Sequence, residues 1–190
     1  MSDSNHLEEL CARFNAGESL AFTFFWGHQR NKTAVTASCF SQWFEAEFVV
    51  DGQRYPTAEH FMMAEKAALF DDQEIRTQIL QAPTPNAAKA LGRNVRGFNE
   101  KLWLEHRYGI VVQANQAKFS QNPKLNDYLM QTGSRVIVEA SPVDNIWGIG
   151  LAQDNPDVNN PNLWKGLNLL GFALMQVRDG GNVGGDGSVG

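Results

Sequence analysis

Arg135-Val136-Ile137-Val138-Glu139-Ala140 is the stretch on which the fold reading turns. Its alternation and its β-branched residues predict a strand. It runs straight into Ser141-Pro142-Val143-Asp144-Asn145-Ile146-Trp147-Gly148-Ile149-Gly150, a turn-flanked run with an acid, a large aromatic and two glycines. Functional groups often sit on loops at strand ends, and glycines let backbone approach a ligand closely. Asp144 also suits a plain turn role, because Asp hydrogen-bonds its own backbone readily, and Trp147 suits a core. The combination Asp-x-x-Trp-Gly-x-Gly points to a ligand loop in which Asp144, Trp147 and Gly148 face a bound molecule.

Working outward, other strands are few. Residues 21–26 (AFTFFW) read as a buried strand, and Asp51-Gly52 between residues 45–50 and 53–55 is a hairpin signal. Pro56 stops the second hairpin strand. Helices dominate the rest. Asn5 suits the cap of a short helix carrying Leu7, Leu10, Cys11 and Phe14. Thr57 suits the cap of a helix reaching Phe70, and a further helix spans residues 72–80. Pro85 suits the first turn of another that reaches Leu91. Asn99 suits the cap of a long helix through Phe119, and Pro123 starts one ending near Thr132-Gly133. A final helix over residues 166–178 places Leu167, Leu170, Leu174 and Val177 on one stripe. Helices and strands do not alternate regularly, so the fold class is α+β: a helix-rich single domain around a small β-sheet. Residues 1–20 form an N-terminal lead-in with its helix, residues 21–178 the body, and residues 179–190 a Gly-rich tail expected to be disordered.

The chain has 190 residues, 43 % of them hydrophobic and 11 % aromatic, enough for one core without staples. A net charge of −5 predicts no bulk attraction to nucleic acid or an anionic membrane. Cys11 and Cys39 form no CxxC pair, which argues against a disulfide frame or a cysteine zinc site and for a reducing, cytoplasmic setting. The N-terminus lacks signal-peptide character, and no apolar run approaches the ~20 residues needed to span a bilayer. P-loop, Rossmann, GxSxG and HExxH patterns are missing.

Glu59 falls in the first turn of the helix capped by Thr57, where orphan amides favour an anion. Lys66 projects from the same face about two turns on. An ordinary first-turn acid and a solvated lysine are the plain alternatives. His60 has no partner at metal-ligand spacing and reads as a packed or capping residue. Trp103 fits a core helix position by periodicity, or else a stacking platform for a flat base. Lys89, Arg93, Arg96, Lys101 and Arg107 make residues 89–107 locally basic. That span is either a solvated face or a phosphate cradle, since guanidinium matches phosphate oxygens.

These segments, taken in order, resemble the YbiA-like, or NADAR, family, which includes N-glycosidases acting on riboflavin-biosynthesis intermediates. The resemblance is carried by Phe24-Phe25-Trp26-Gly27, Cys39-Phe40-Ser41-Gln42-Trp43, Tyr55-Pro56-Thr57-Ala58-Glu59-His60, Ala88-Lys89-Ala90-Leu91-Gly92-Arg93, Lys118-Phe119-Ser120-Gln121-Asn122-Pro123, Val138-Glu139-Ala140-Ser141, residues 144–150, and Gly166-Leu167-Asn168-Leu169-Leu170-Gly171. It covers roughly residues 22–178. The resemblance implies a catalytic glutamate at Glu59, an aromatic site residue at Trp103 and an aspartate at Asp144. The family's common Phe-Ser-Asn is Phe40-Ser41-Gln42 here, and its common Ser-Glu-His is Ala58-Glu59-His60. Glutamine is one methylene longer, so a ligand contact made by that amide shifts.

The resemblance therefore implies hydrolysis of an N-glycosidic bond between ribose 5-phosphate and a pyrimidine-type heterocycle, without metal or organic cofactor. Glu59 and Asp144 divide the acid and base tasks. Trp103 and Trp147 are expected to stack on the heterocycle and Lys66 to pair with an acid or the sugar, while local charge alone makes Lys89 and Arg93 candidates for the phosphate. Clearance of reactive intermediates, a damage-control role, is the physiological setting it suggests. Two alternatives stay open: removal of ADP-ribose from a nucleobase such as guanine, and a non-catalytic module binding ADP-ribose or a nucleotide.

Overall fold

A computed structural model describes residues 5–180. Residues 1–4 of the expected lead-in and nearly all of the expected disordered tail lie outside the described residues. The elements run α1 (Asn5–Asn15), β1 (Phe22–Phe25), β2 (Phe48–Val50), β3 (Gln53–Tyr55), α2 (Ala58–Leu69), α3 (Gln73–Leu80), α4 (Pro85–Gly92), α5 (Glu100–Ser120), α6 (Pro123–Gln131), β4 (Val136–Glu139) and α7 (Leu169–Arg178). The chain is α+β and rich in helix, as expected, but the small sheet is divided into two separate pairs.

β1 lies parallel to β4, with Phe22 opposite Val136 and Phe25 opposite Glu139. A parallel pair requires a crossover, and this one carries every element from β2 to α6. Period-two alternation sorts the β4 side chains. Val136 and Val138 join Leu10, Ile149, Trp164 and Phe172 in one core cluster. Ile137, on the opposite face, joins the larger cluster built around Phe40, Phe61, Phe119 and Leu170. Glu139 continues the Ile137 face. β2 and β3 form the hairpin, and Asp51 (φ 49°) and Gly52 (φ 76°) both adopt the left-handed backbone of a two-residue turn.

Helix α2 is the hub, packed by α3, α4 and α5, while α7 lies between α5 and β4. Side-chain caps fix the starts of several helices. Thr57 Oγ1 accepts from His60 N at 3.2 Å, and Asn99 Oδ1 accepts from Leu102 N at 3.0 Å. Asp72 and Thr84 cap α3 and α4 in the same way. Helix α1 is docked on the body: His6 packs against Tyr108 and Phe172, and Asn15 and Asn162 exchange amide hydrogen bonds.

Two boundaries differ from the sequence reading. The strand expected from residue 45 begins only at Phe48, because its partner strand stops at Pro56, which has no N–H for the ladder. The last helix begins at Leu169 rather than Gly166. Leu167 N donates to Asn145 O (3.1 Å), Asn168 N to Gly148 O (3.1 Å) and Leu169 N to Ile146 O (3.2 Å). Residues 166–168 are thus tied to the Asp144 loop, and Asn168 sits at φ 54°, outside helical backbone. The expected single stripe is also too narrow, since Leu169, Leu170, Phe172, Ala173 and Leu174 are all buried. No helix among the described residues is long and apolar enough to cross a membrane.

Candidate active site

Backbone hydrogen bonds assemble the site from elements far apart in sequence. Glu59 N donates to Gln42 O at 3.0 Å, joining the start of α2 to the segment after the 3₁₀ turn at Ala37–Phe40. That segment is held from behind by Lys118. Its Nζ donates to Cys39 O (2.6 Å) and Ser41 O (3.0 Å) and lies over the Phe44 and Phe119 rings. Lys118 is fully buried, and burial lowers its pKa to about 8. At the other wall, Ile149 N donates to Glu139 O at 3.0 Å, folding the Asp144 loop back over the end of β4.

The result is a cleft of about 210 Å³ lined by Ser41, Gln42 and Trp43, by Glu59, Met62, Met63 and Lys66 of α2, by Lys89 and Gly92 of α4 with Arg93, by Trp103 of α5, and by Glu139, Asp144 and Trp147. Seven of the eight residues singled out from sequence (Glu59, Asp144, Trp103, Lys66, Trp147, Lys89 and Arg93) meet on this surface. Gly148 does not line it. A Cβ there would stand 2.9 Å from Glu139 O and 3.0 Å from Asp144 O, so its bare backbone lets the loop close against β4 behind the wall. The basic span 89–107 also divides. Lys89 and Arg93 reach the cleft, whereas Arg96 pairs with Asp72 and Glu74, and Arg107 is buried.

Three carboxyl groups share this small volume. Glu59 is only 3 % exposed, and burial raises its pKa to about 7. The Asp144 charge raises it further, while Lys89, a hydrogen bond from Trp43 and Lys66 oppose the rise. Glu139 is raised to about 8, first by burial and then by the charges of Asp144 and Glu59. Its Oε2 is enclosed and has no hydrogen-bond partner among the described residues. Asp144 is held differently. Its Oδ1 accepts from Ile146 N (2.9 Å) and Trp147 N (2.8 Å), which fixes the loop and leaves Oδ2 unengaged among the described residues.

Lys66 Nζ donates to Gly92 O at 2.8 Å and lies 5.5 Å from the Trp103 ring centroid and 4.8 Å from that of Phe98. Partial burial lowers its pKa. Lys89 Nζ lies 5.8 Å from the Trp43 ring centroid. Trp103 thus does both things its position allowed: it packs on the core edge and shows a face to the cleft. His60 is a packed residue. Its Nε2 donates to Ala82 O (2.9 Å) and its Nδ1 accepts from Thr57 Oγ1 (2.7 Å).

Glu139, Trp43 and Gln42 were not singled out as site residues. Glu139 had a legible signal, an acid at the inward-facing end of an alternating strand beside the Asp144 loop. Trp43 carried none beyond its place in a recognisable segment, and Gln42 was marked only by its departure from the family's asparagine. A larger depression of about 580 Å³ lies between residues 30–38 and the start of α6. It contains no carboxylate, so the chemistry favours the smaller cleft. No group of His, Cys, Asp and Glu among the described residues is arranged to hold a metal ion.

Comparison with known proteins agrees with this architecture. The chain is 44 % identical over 168 residues to N-glycosidase R617 of Acanthamoeba polyphaga mimivirus, covering 85 % of this chain and 97 % of that protein. It is 34 % identical over 131 residues to the chloroplastic riboflavin biosynthesis protein PYRR of Zea mays, covering 65 % of this chain and 19 % of that protein. The NMR structure of the E. coli protein YbiA superposes with a TM-score of 0.68 at 26 % identity, covering 86 % of each chain. The NADAR domain matches residues 24–180, from β1 through the whole cleft to the end of α7, and the chain belongs to that family.

Proposed function

We propose that this cleft hydrolyses the N-glycosidic bond between ribose 5-phosphate and a pyrimidine-type heterocycle of the kind formed early in riboflavin biosynthesis. The broader class, an N-glycosyl hydrolase, is the one carried by its named relatives. The observation that supports the reading best is the convergence of Glu59, Glu139 and Asp144 in one small cleft beside Trp43, Trp103 and Trp147, with Lys89 and Arg93 on its rim. The maize relative named for riboflavin biosynthesis supports the substrate class.

In this reading the C1′–N bond breaks with its electron pair leaving on nitrogen, and positive charge develops on the sugar. Glu59, protonated in part near neutral pH because it is buried, delivers a proton to the leaving nitrogen. Asp144 uses its unengaged Oδ2 to steady the sugar cation and to take a proton from the attacking water, whose hydroxyl ends on C1′. Glu139, held protonated by burial and its neighbours, keeps the three acids from repelling one another as anions. Trp103 and Trp147 stack on the heterocycle, and Lys89 and Arg93 hold the 5′-phosphate. Clearance of a reactive intermediate inside the cytoplasm is the role that follows. The test is incubation of the pure protein with the 5-amino-6-ribosylamino-uracil 5′-phosphate and its diamino-pyrimidinone precursor. Release of free ribose 5-phosphate is expected, and no release from either overturns the reading.

A second reading, removal of ADP-ribose from guanine, is favoured by one feature. On the other side of Trp43 lies a depression of about 510 Å³ lined by His28, Gln29, Arg30, Thr84 and Asn86 among others, which gives room for a longer substrate. Appearance of ADP-ribose from modified guanine, with ribose 5-phosphate absent, would select it.

A further inference from the structure

We propose that Gln42 reads the heterocycle, its side-chain N–H donating to a carbonyl oxygen of the base, so that it is a specificity-determining residue of the cleft. The ligand identity rests on the glycosidase reading above; the donor itself rests on geometry. Val111 O can only accept, so the Asn115 atom 2.9 Å from it is the amide nitrogen Nδ2. That same nitrogen lies 2.9 Å from a Gln42 side-chain atom, which must therefore be the acceptor Oε1. The Gln42 amide cannot flip without breaking its contact to Asn115, and the enclosed Asn115 cannot flip to restore it without breaking its contact to Val111 O. Its Nε2 is left with two hydrogens and no partner among the described residues, on a residue 7 % exposed that lines the cleft.

A buried donor without an acceptor is rare and costly in native proteins. Of the side-chain donors in the wall, Gln42 Nε2 is the one buried without a partner among the described residues. Lys66 Nζ serves Gly92 O. Lys89 and Arg93 are cations suited to phosphate, and the Ser41 hydroxyl is free to rotate. Sugar hydroxyls find acceptors in the three carboxyls. A neutral, fixed N–H on a residue that lines a cleft with aromatic walls matches the remaining feature of the substrate, a neutral carbonyl on a flat ring.

The test titrates wild type, Q42L and Q42E with the free base 5,6-diaminouracil by calorimetry, with thermal melts as a check on folding and ribose 5-phosphate release assayed in parallel. Q42L should bind the base about tenfold more weakly, the worth of one neutral hydrogen bond. Q42E, which replaces the donor with an acceptor, should bind more weakly still. In wild type the Gln42 side-chain amide proton should move downfield when the base is added, a readout that needs no variant to fold. An unmoved resonance, Q42L binding within twofold of wild type, or no binding of the base to wild type overturns the proposal. If the binding pattern holds while no ribose 5-phosphate is released, Gln42 keeps its role and the glycosidase reading fails. Turnover by wild type with unchanged binding in Q42L removes Gln42 alone.

Discussion

Asn168 holds Glu139 in place by acting as a second edge for β4. Its Oδ1 accepts from Glu139 N at 3.0 Å, and its Nδ2 donates to Ile137 O at 3.0 Å. Asn168 is wholly buried and left-handed, a backbone that Asn tolerates better than most residues. Asn168→Leu leaves a buried N–H and a buried carbonyl unpaired and strains the backbone. A loss of about 2–4 kcal/mol is expected in chemical denaturation. Wild-type stability in this variant would mean that water replaces the side chain.

Glu59→Gln and Asp144→Asn should each lower kcat by about 10²–10³. Their stabilities should move in different directions. Glu59→Gln removes a carboxyl whose charge is disfavoured by burial, so its melting temperature at pH 8 should equal or exceed that of wild type. Asp144→Asn weakens the acceptor of two loop amides and should melt lower. Near-normal turnover in both would reject their assignment.

Stability should depend on pH through Glu59 and Glu139. Both have folded-state pKa values raised above the ordinary 4.5, to about 7 and about 8, so the folded protein holds protons that the unfolded chain releases. Their favourable contribution is complete below pH 4.5 and declines as pH rises, until it is lost above about 8. Urea midpoints measured from pH 5 to pH 8 should show this decline in wild type, and Glu139→Gln should flatten the upper part of it. Proton delivery by Glu59 predicts an activity limb that falls above neutral pH.

Lys118→Met strips the donor from Cys39 O and Ser41 O inside the core. A cost of about 2–4 kcal/mol is expected from the two buried carbonyls left without a donor. Because the same carbonyls fix the segment bearing Gln42 and Trp43, activity should fall by more than the unfolded fraction explains. Circular dichroism with single-turnover assays at low temperature separates the two effects.

Trp103→Ala should raise KM more than it lowers kcat. It should also free Lys66, whose ammonium lies against that ring. A lower melting temperature with unchanged KM would return Trp103 to a purely structural role.

Local chemistry made most of the fold legible. Thr57 and Asn99 cap the helices they were expected to cap, Pro123 begins α6, and Asp51-Gly52 turns the hairpin. These signals act within a few residues, so they survive without knowledge of neighbours. The delayed start of α7 was not legible, because the hydrogen bonds that pull residues 166–168 out of the helix come from residues 145–148. Gly148 lies behind the wall of the cleft for a related reason. A glycine in such a loop suits close approach of a ligand, while the atoms that need the room here belong to Glu139 and Asp144.

Residue order alone established a helix-rich α+β chain, its caps and turns, and two acids in recognisable segments, since periodicity, capping and turn preference are short-range properties. Tertiary structure decided which charges share one low-dielectric cleft. Glu59 is perturbed because the core removes water from it and because the loop after β4 brings the Asp144 charge near it. The Gln42 amide is fixed in one orientation only because Asn115, on α5, holds it. Burial, field and orientation arise from groups distant along the chain, and folding alone brings them together.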